Sequence, residues 1–358
     1  MPDSVRRRIE NDTLNNARKF SRLKADFFEI AGTLDRRGIE FVTLKGFTHS
    51  PDFTADPLLR AQGDIDLWLE RETVQSANAA LLDLGYTPHC ETEDRHLPPL
   101  IRPSGWKWKG DYYDPDAPIG VDLHYQLWDE GLERIEAPGI ESFWARRTVR
   151  VFGGRPISVL HPADALAFAA LHQLLHVLRG DARLQRAWEI AGFLENRKND
   201  PAFWMEWREL HPERLRLLET VVFRMCADWF GCELSPCVEE ECNRFPEGVK
   251  LWFERYAQAP VENLFRPNKN ELWLHLALAD SFSSRAALFR RRVFPVKRIQ
   301  ENAPPALSSW IWSGKRALHH ARVLPGTLAG GIRWWWLQLG LGPSFLKFLL
   351  ASALFDLG

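Results

Sequence analysis

Residues 63–69, Gly63-Asp64-Ile65-Asp66-Leu67-Trp68-Leu69 or GDIDLWL, alternate like a half-buried β-strand yet carry two aspartates. Successive side chains of a strand point to opposite faces. Ile65, Leu67 and Leu69 therefore face a core, and Asp64 and Asp66 project together from the other side. Aspartate is depleted in strands, and like charges held side by side repel. A divalent cation between the carboxylates removes that repulsion. Hard ions such as Mg²⁺ take oxygen ligands and are held by a few carboxylates together with substrate phosphates.

A third acid of the same kind lies downstream. In IGVDLHYQL (119–127), Val121, Leu123, Tyr125 and Leu127 form an apolar face and leave Asp122, His124 and Gln126 on the polar side. If this strand lies beside GDIDLWL, Asp122 joins Asp64 and Asp66. Three carboxylates can hold two metal ions about 3.5–4 Å apart, one activating an attacking oxygen and one clamping a triphosphate. His124 is read as a hydrogen-bonded structural imidazole. Upstream, the β-rich IEFVTLK (39–45) ends at Lys45-Gly46, where a glycine lets the backbone approach a ligand and a following helical turn offers N–H groups. Lys45 and Arg60, the latter just before Gly63 in LLRAQGDID, supply positive charge for phosphates.

The succession FVTLKGF, LLRAQGDIDLWL, GVDLHYQL resembles the uncharacterised nucleotidyltransferase family of the DNA polymerase β-like nucleotidyltransferase superfamily. Its members read L-K-G, then R-x-x-G-D-I-D-L, then an acid-x-H strand. The likeness extends through FWARRTVRVFGGRPISVLHPADAL and LHQLLHVLRGDARLQRAWEIAGFL, about residues 25–200. It implies an α+β fold, a small mixed β-sheet with flanking helices followed by an α-helical portion. It also implies Mg²⁺-dependent transfer of a nucleoside monophosphate from a nucleoside triphosphate, with ATP the expected donor. On this resemblance Asp64, Asp66 and Asp122 are the catalytic metal ligands, and Lys45, Gly46, Arg60 and Gly63 bind the nucleotide. The superfamily's Gly-Ser or Gly-Gly is Gly46-Phe47 here. The acceptor is an unidentified small molecule or protein. A catalytically silent module of the same fold, docking a partner or membrane, is the alternative.

Around this centre the chain of 358 residues reads as three parts: a nucleotidyltransferase domain over 1–160, an α-helical domain over 161–284, and a basic, Trp-rich tail over 285–358. Leu14, Ala17, Phe20, Leu23, Phe27, Ile30 and Leu34 predict an amphipathic helix over 14–36. WKWKGDYY (106–113) predicts a strand, and RRTVRVFGGRPISVL (146–160) a hairpin about Gly153-Gly154. From Pro162 the periodicity is helical; Glu189 is read there as an ordinary helix acid. His172 and His176 share a helix face, but Gln173 stands where H-E-x-x-H needs its glutamate, which excludes that metalloprotease motif.

Net charge is −1, with 46 Lys/Arg against 47 Asp/Glu. From Arg285 onward, however, basic residues exceed acidic ones by nine, so the tail is suited to an anionic surface. Its Trp-rich segments interrupted by Arg333, Pro343 and Lys347 are too short to span a bilayer, and a peripheral membrane contact is the reading kept beside packing on the body. Five cysteines and an N-terminus lacking an apolar signal core point to a cytoplasmic protein without a disulfide framework. The first domain lacks a basic, aromatic-laced face, which argues against nucleic acid as partner.

Overall fold

The computed structural model describes residues 1–89 and 96–293. Seven strands form one mixed sheet: β1 (Val42–Leu44), β2 (Asp64–Trp68), β3 (Thr87–Pro88), β4 (Leu100–Ile101), β5 (Gly120–His124), β6 (Thr148–Phe152) and β7 (Arg155–Val159). Their order is β3-β4-β5-β2-β1-β7-β6. The central β2 runs parallel to β5 and antiparallel to β1, and β1 runs parallel to β7. One face is sealed by the long helix α1 (Asp3–Arg36) and by α2 (Val74–Asp83). Leu23, Phe27, Ile30 and Leu34 of α1 pack with Ile65 and Leu67 of β2 and Val121 and Leu123 of β5 in one buried cluster. Each such side chain contributes roughly 1.5–3 kcal/mol by leaving water, which fixes β2 with its aspartates turned to the opposite face.

The hairpin β6–β7 forms about Gly153 and Gly154, both at positive φ (56° and 84°). That is the backbone a tight, right-twisting hairpin turn requires. Two expectations fail locally. Segment 106–113 is not a strand: Asp111 and Asp114 capture the backbone N–H groups of Tyr113 and Asp116, and Asp114 Oδ2 accepts the indole N–H of Trp106 at 2.9 Å. Aspartates that bond the backbone two residues on form turns in preference to ladders. The buried stripe of α1 also differs at its start. Leu14 is 60 % exposed, whereas Asn16 and Lys19, two turns and one turn before Leu23, are buried.

The remaining described helices are α3 (Glu130–Glu133), α4 (Pro162–Leu178), α5 (Leu184–Arg197), α6 (Pro201–Leu210), α7 (Glu213–Phe230), α8 (Pro236–Asn243), α9 (Glu247–Tyr256), α10 (Ala259–Glu262), α11 (Glu271–Leu278) and α12 (Phe282–Val293). The chain divides into two compact units. The first takes Met1–Leu174 and Gln185–Cys242, and the second takes Leu175–Leu184 and the chain from Asn243. In the second, α11 packs against α9 and α12, and Trp252 donates its indole N–H to Asn270 O at 2.9 Å. No helix among the described residues is long and apolar enough to cross a membrane. Cys226, Cys232, Cys237 and Cys242 are free thiols. The expectations for the tail from residue 294 lie outside the described residues.

The helical part of the first unit carries a buried ionic cage. His211 lies 3.0 Å from Asp164 Oδ1 through Nε2 and 2.9 Å from Glu219 Oε2 through Nδ1. Arg146 forks onto Asp164, and Trp207 donates to Glu219 Oε1. Burial pulls the imidazole's pKa down, but Glu219 and Asp164 outweigh it and push it up to about 9. A folded pKa above the ordinary value of about 6.5 means stability fully present below that pH and lost as pH rises through 9. Wild type is therefore expected to lose about 3 kcal/mol of unfolding free energy between pH 6.5 and 9 relative to His211→Gln. Urea unfolding of both proteins across that window checks this.

Candidate active site

The site grows from the register of two strands. β2 and β5 run side by side with Asp66 opposite Asp122, Trp68 opposite His124 and Asp64 opposite Gly120. Residues directly opposite in a ladder project from the same face, so Asp66, Asp122 and His124 emerge together on the face away from α1. One ligand atom from each of these three lies within 4.8 Å of the others, which makes them the metal-capable group among the described residues. Asp64 stands outside that group. It lies near enough to Asp66 for their charges to interact strongly.

The three carboxylates are not equivalent. Asp66 is 2 % exposed, and its Oδ1 receives both the ammonium of Lys45 and Nε2 of His124, each at 2.8 Å. Burial raises its pKa, but Lys45 and then His124 overcome this and hold it well below the usual carboxylate range. Asp122 is pushed up to about 8, first by burial and then by the charges of Asp66 and Asp64. Asp64 is raised by burial and Asp66, with Lys45, Arg60 and Arg186 pulling the other way. His124 falls to about 4 because burial outweighs the attraction of Asp66. A neutral imidazole facing an ionised carboxylate donates, so the proton sits on Nε2.

Neither Asp64 nor Asp122 has a hydrogen bond or ion pair to its carboxylate among the described residues. Crowded acids without donors are what a cation satisfies. The donor set fits a hard divalent ion on carboxylate oxygens. His124 spends its Nε2 on Asp66 and orients that acid, as imidazoles beside metal sites do.

Lys45 reaches Asp66 from an unusual backbone. Its φ of 51° and ψ of −154° belong to a region few residues other than glycine adopt, at a cost of about 1–3 kcal/mol. Thr48 Oγ1 bonds its carbonyl at 2.6 Å, and the ammonium lies 5.7 Å over the Phe168 ring of α4. Gly46 follows at φ 57°, and a Cβ there would fall 2.1 Å from Gln62 Nε2. Gln62 uses that space to donate to Asp64 O at 2.7 Å, so the group packed on Gly46 is the amide that anchors the start of β2. Phe47, in place of the superfamily's serine, stacks on Phe152 at 4.0 Å and belongs to the core.

Arg60 is anchored at both ends. Its Nε lies 2.9 Å from Glu189 Oε1, and its carbonyl accepts the amide of Asn16 at 3.2 Å. Glu189, 1 % exposed on α5, also takes His49 Nδ1 at 3.0 Å and Gln185 at 3.2 Å. Burial raises the Glu189 carboxyl, but His49 and Arg60 bring its pKa below the ordinary value. Glu189 thus ties the loops after β1 and before β2 to α5, a part larger than an ordinary helix acid plays. Its place in the apolar run WEIAGFL was the available signal. Lys19, also unassigned from sequence, points to Gly63: its Nζ would lie 3.5 Å from a Cβ there. Burial lowers its pKa, with Asp64 and Asp114 opposing and Arg22 adding to the fall.

A family model described as an uncharacterised nucleotidyltransferase matches residues 1–231. No curated protein and no solved structure matches the chain.

Removing the Glu189 carboxylate leaves Arg60 buried without its counter-charge. Glu189→Ala is expected to cost about 3 kcal/mol of unfolding free energy, and Glu189→Gln less, because the amide still accepts from Arg60. Chemical denaturation of the three proteins measures the order.

Proposed function

We propose that this chain, which belongs to the uncharacterised nucleotidyltransferase family, moves a nucleoside monophosphate from a nucleoside triphosphate, ATP by default, to a hydroxyl of a small molecule or protein. The observation that carries the reading is the in-register pairing that sets Asp66 beside Asp122 with His124 within reach. Asp66 and Asp122, with Asp64 adjoining, would hold Mg²⁺. Bound there, as one ion or two, it would neutralise the triphosphate and polarise the phosphorus under attack.

The chain's own residues supply the rest. Lys45 and His124 fix the carboxylate of Asp66 in one orientation, so little reorganisation is needed when substrate arrives. Arg60 and Arg186 add positive charge near Asp64, and Glu189 keeps Arg60 in place. Asp122, whose oxygens are uncommitted among the described residues, is the group available to take the acceptor hydroxyl's proton. Attack in line on the α-phosphorus then expels pyrophosphate, with positioning and charge neutralisation doing most of the work.

Thermal unfolding with Mg²⁺ and each nucleoside triphosphate tests binding. Wild type gains about 2.7 kcal/mol at a hundredfold excess over the dissociation constant, and an Asp64→Asn/Asp66→Asn double variant gains almost none. Incubation with triphosphates labelled at the α-phosphate and a cell extract tests chemistry: label enters an acceptor with wild type, and Asp66→Asn slows this by on the order of 10²–10³. Equal stabilisation of both proteins with no transfer would replace the enzyme by a binding module.

A further inference from the structure

The buried stripe of α1 runs Asn16, Lys19, Leu23, Phe27, Ile30, and its first two members are polar where the helix spacing calls for apolar residues. Asn16 has a local use. Its amide donates to Leu58 O at 2.6 Å and Arg60 O at 3.2 Å, which holds the loop leading into β2. Lys19 has no such use. It is 9 % exposed, and its ammonium makes no hydrogen bond or ion pair with any described residue. The charges that face it are Asp64 on β2, Asp114 in the loop before β5, and Arg22 one turn along α1. Arg22 is itself spent on the carbonyls of Pro115 and Ala117.

An ammonium on a residue only 9 % exposed, with no acceptor among the described residues, gives up part of its hydration at a cost that an apolar residue here would not carry. What would offset that cost is an anion brought from outside the chain. Lys19 opens onto Gly63 and Asp64, at the edge of the carboxylate cluster. We propose that Lys19 forms, with the glycine-lined start of β2, a subsite for a phosphate group of a substrate, apart from the carboxylates that hold the cation. This rests on the nucleotidyltransferase reading, in which two molecules can bring such a group: the triphosphate through its terminal phosphates, or an acceptor that is itself phosphorylated. A Cβ at Gly63 would lie 3.5 Å from the ammonium, in ordinary contact, so the glycine leaves that flank of Lys19 without a side chain.

The test compares full-length wild type with Lys19→Met and Lys19→Arg. Each is titrated with inorganic pyrophosphate and inorganic phosphate in EDTA, and with Mg²⁺–triphosphate separately, with thermal unfolding and calorimetry as readouts. Free Lys19→Met is expected to melt at or above the wild-type temperature, since it removes an unsatisfied cation and keeps the stem's volume. Its affinity for the anion is expected to fall about ten- to a hundredfold, as for loss of one charge-assisted hydrogen bond, and Lys19→Arg to restore part of it. Pyrophosphate and triphosphate affinities falling together assign the subsite to the donor; a fall for inorganic phosphate alone assigns it to the acceptor. A free Lys19→Met that melts below wild type makes Lys19 a structural counter-charge and overturns the proposal, as does undiminished anion affinity. Because the anion titrations contain no metal, wild type that binds pyrophosphate yet ignores Mg²⁺–triphosphate would sink the proposed function and leave the subsite standing.

Discussion

The structure turns on the pairing of β2 with β5 in a register that sets Asp66 against Asp122. Two acids opposite one another in a ladder repel, and the hydrogen bond from the neutral imidazole of His124 to Asp66 does not cancel that repulsion. What holds the register is the other face, where Ile65, Leu67, Val121 and Leu123 are buried against α1 and α2. A slip of one residue would turn that apolar set outward and the acids into the core. Hydrophobic burial thus keeps the carboxylates together against their charge, and the resulting tension is what makes the spot receptive to a cation.

The rest of the site manages that tension unequally. Lys45 and His124 both settle on one oxygen of Asp66, so this acid stays ionised, while Asp122 and Asp64 keep their oxygens uncommitted. The division separates an anchored carboxylate from two receptive ones. A second tie, Glu189 with Arg60 and His49, works at longer range by binding both loops that flank the acidic strand to one helix. Phe53 stacks on His49 and packs against Phe193 of the same helix, so the ion pairs sit within an apolar wrapping that raises their strength and the cost of breaking them.

Much of this could be read from the chain because strand alternation is a local property. GDIDLWL and GVDLHYQL declare which residues face the core, and the double glycine at 153–154 declares a hairpin. The partner and register of a strand are not local, and so neither was the difference between Asp64 and Asp66, which look alike in a D-x-D pair. That difference comes from Lys45 and His124, delivered by other strands. WKWKGDYY misled because its alternation is that of a strand, while the aspartates that bend it into turns lie at and beyond its end. Asn16 and Lys19 were passed over because an apolar count follows Leu14, Ala17 and Phe20. Their burial depends on what the loop before β2 asks of them, and a polar residue one turn upstream of Leu23 was the trace left in the sequence.

The first unit is discontinuous: the chain leaves it after Leu174 and re-enters at Gln185. During synthesis the sheet with its acids therefore emerges from the ribosome well before α5 does. A nascent chain stalled near residue 174 already carries Arg60 and His49 but not the glutamate they await. A cut between Leu174 and Gln185 would divide His49 and Arg60 from the Glu189 that ties them together.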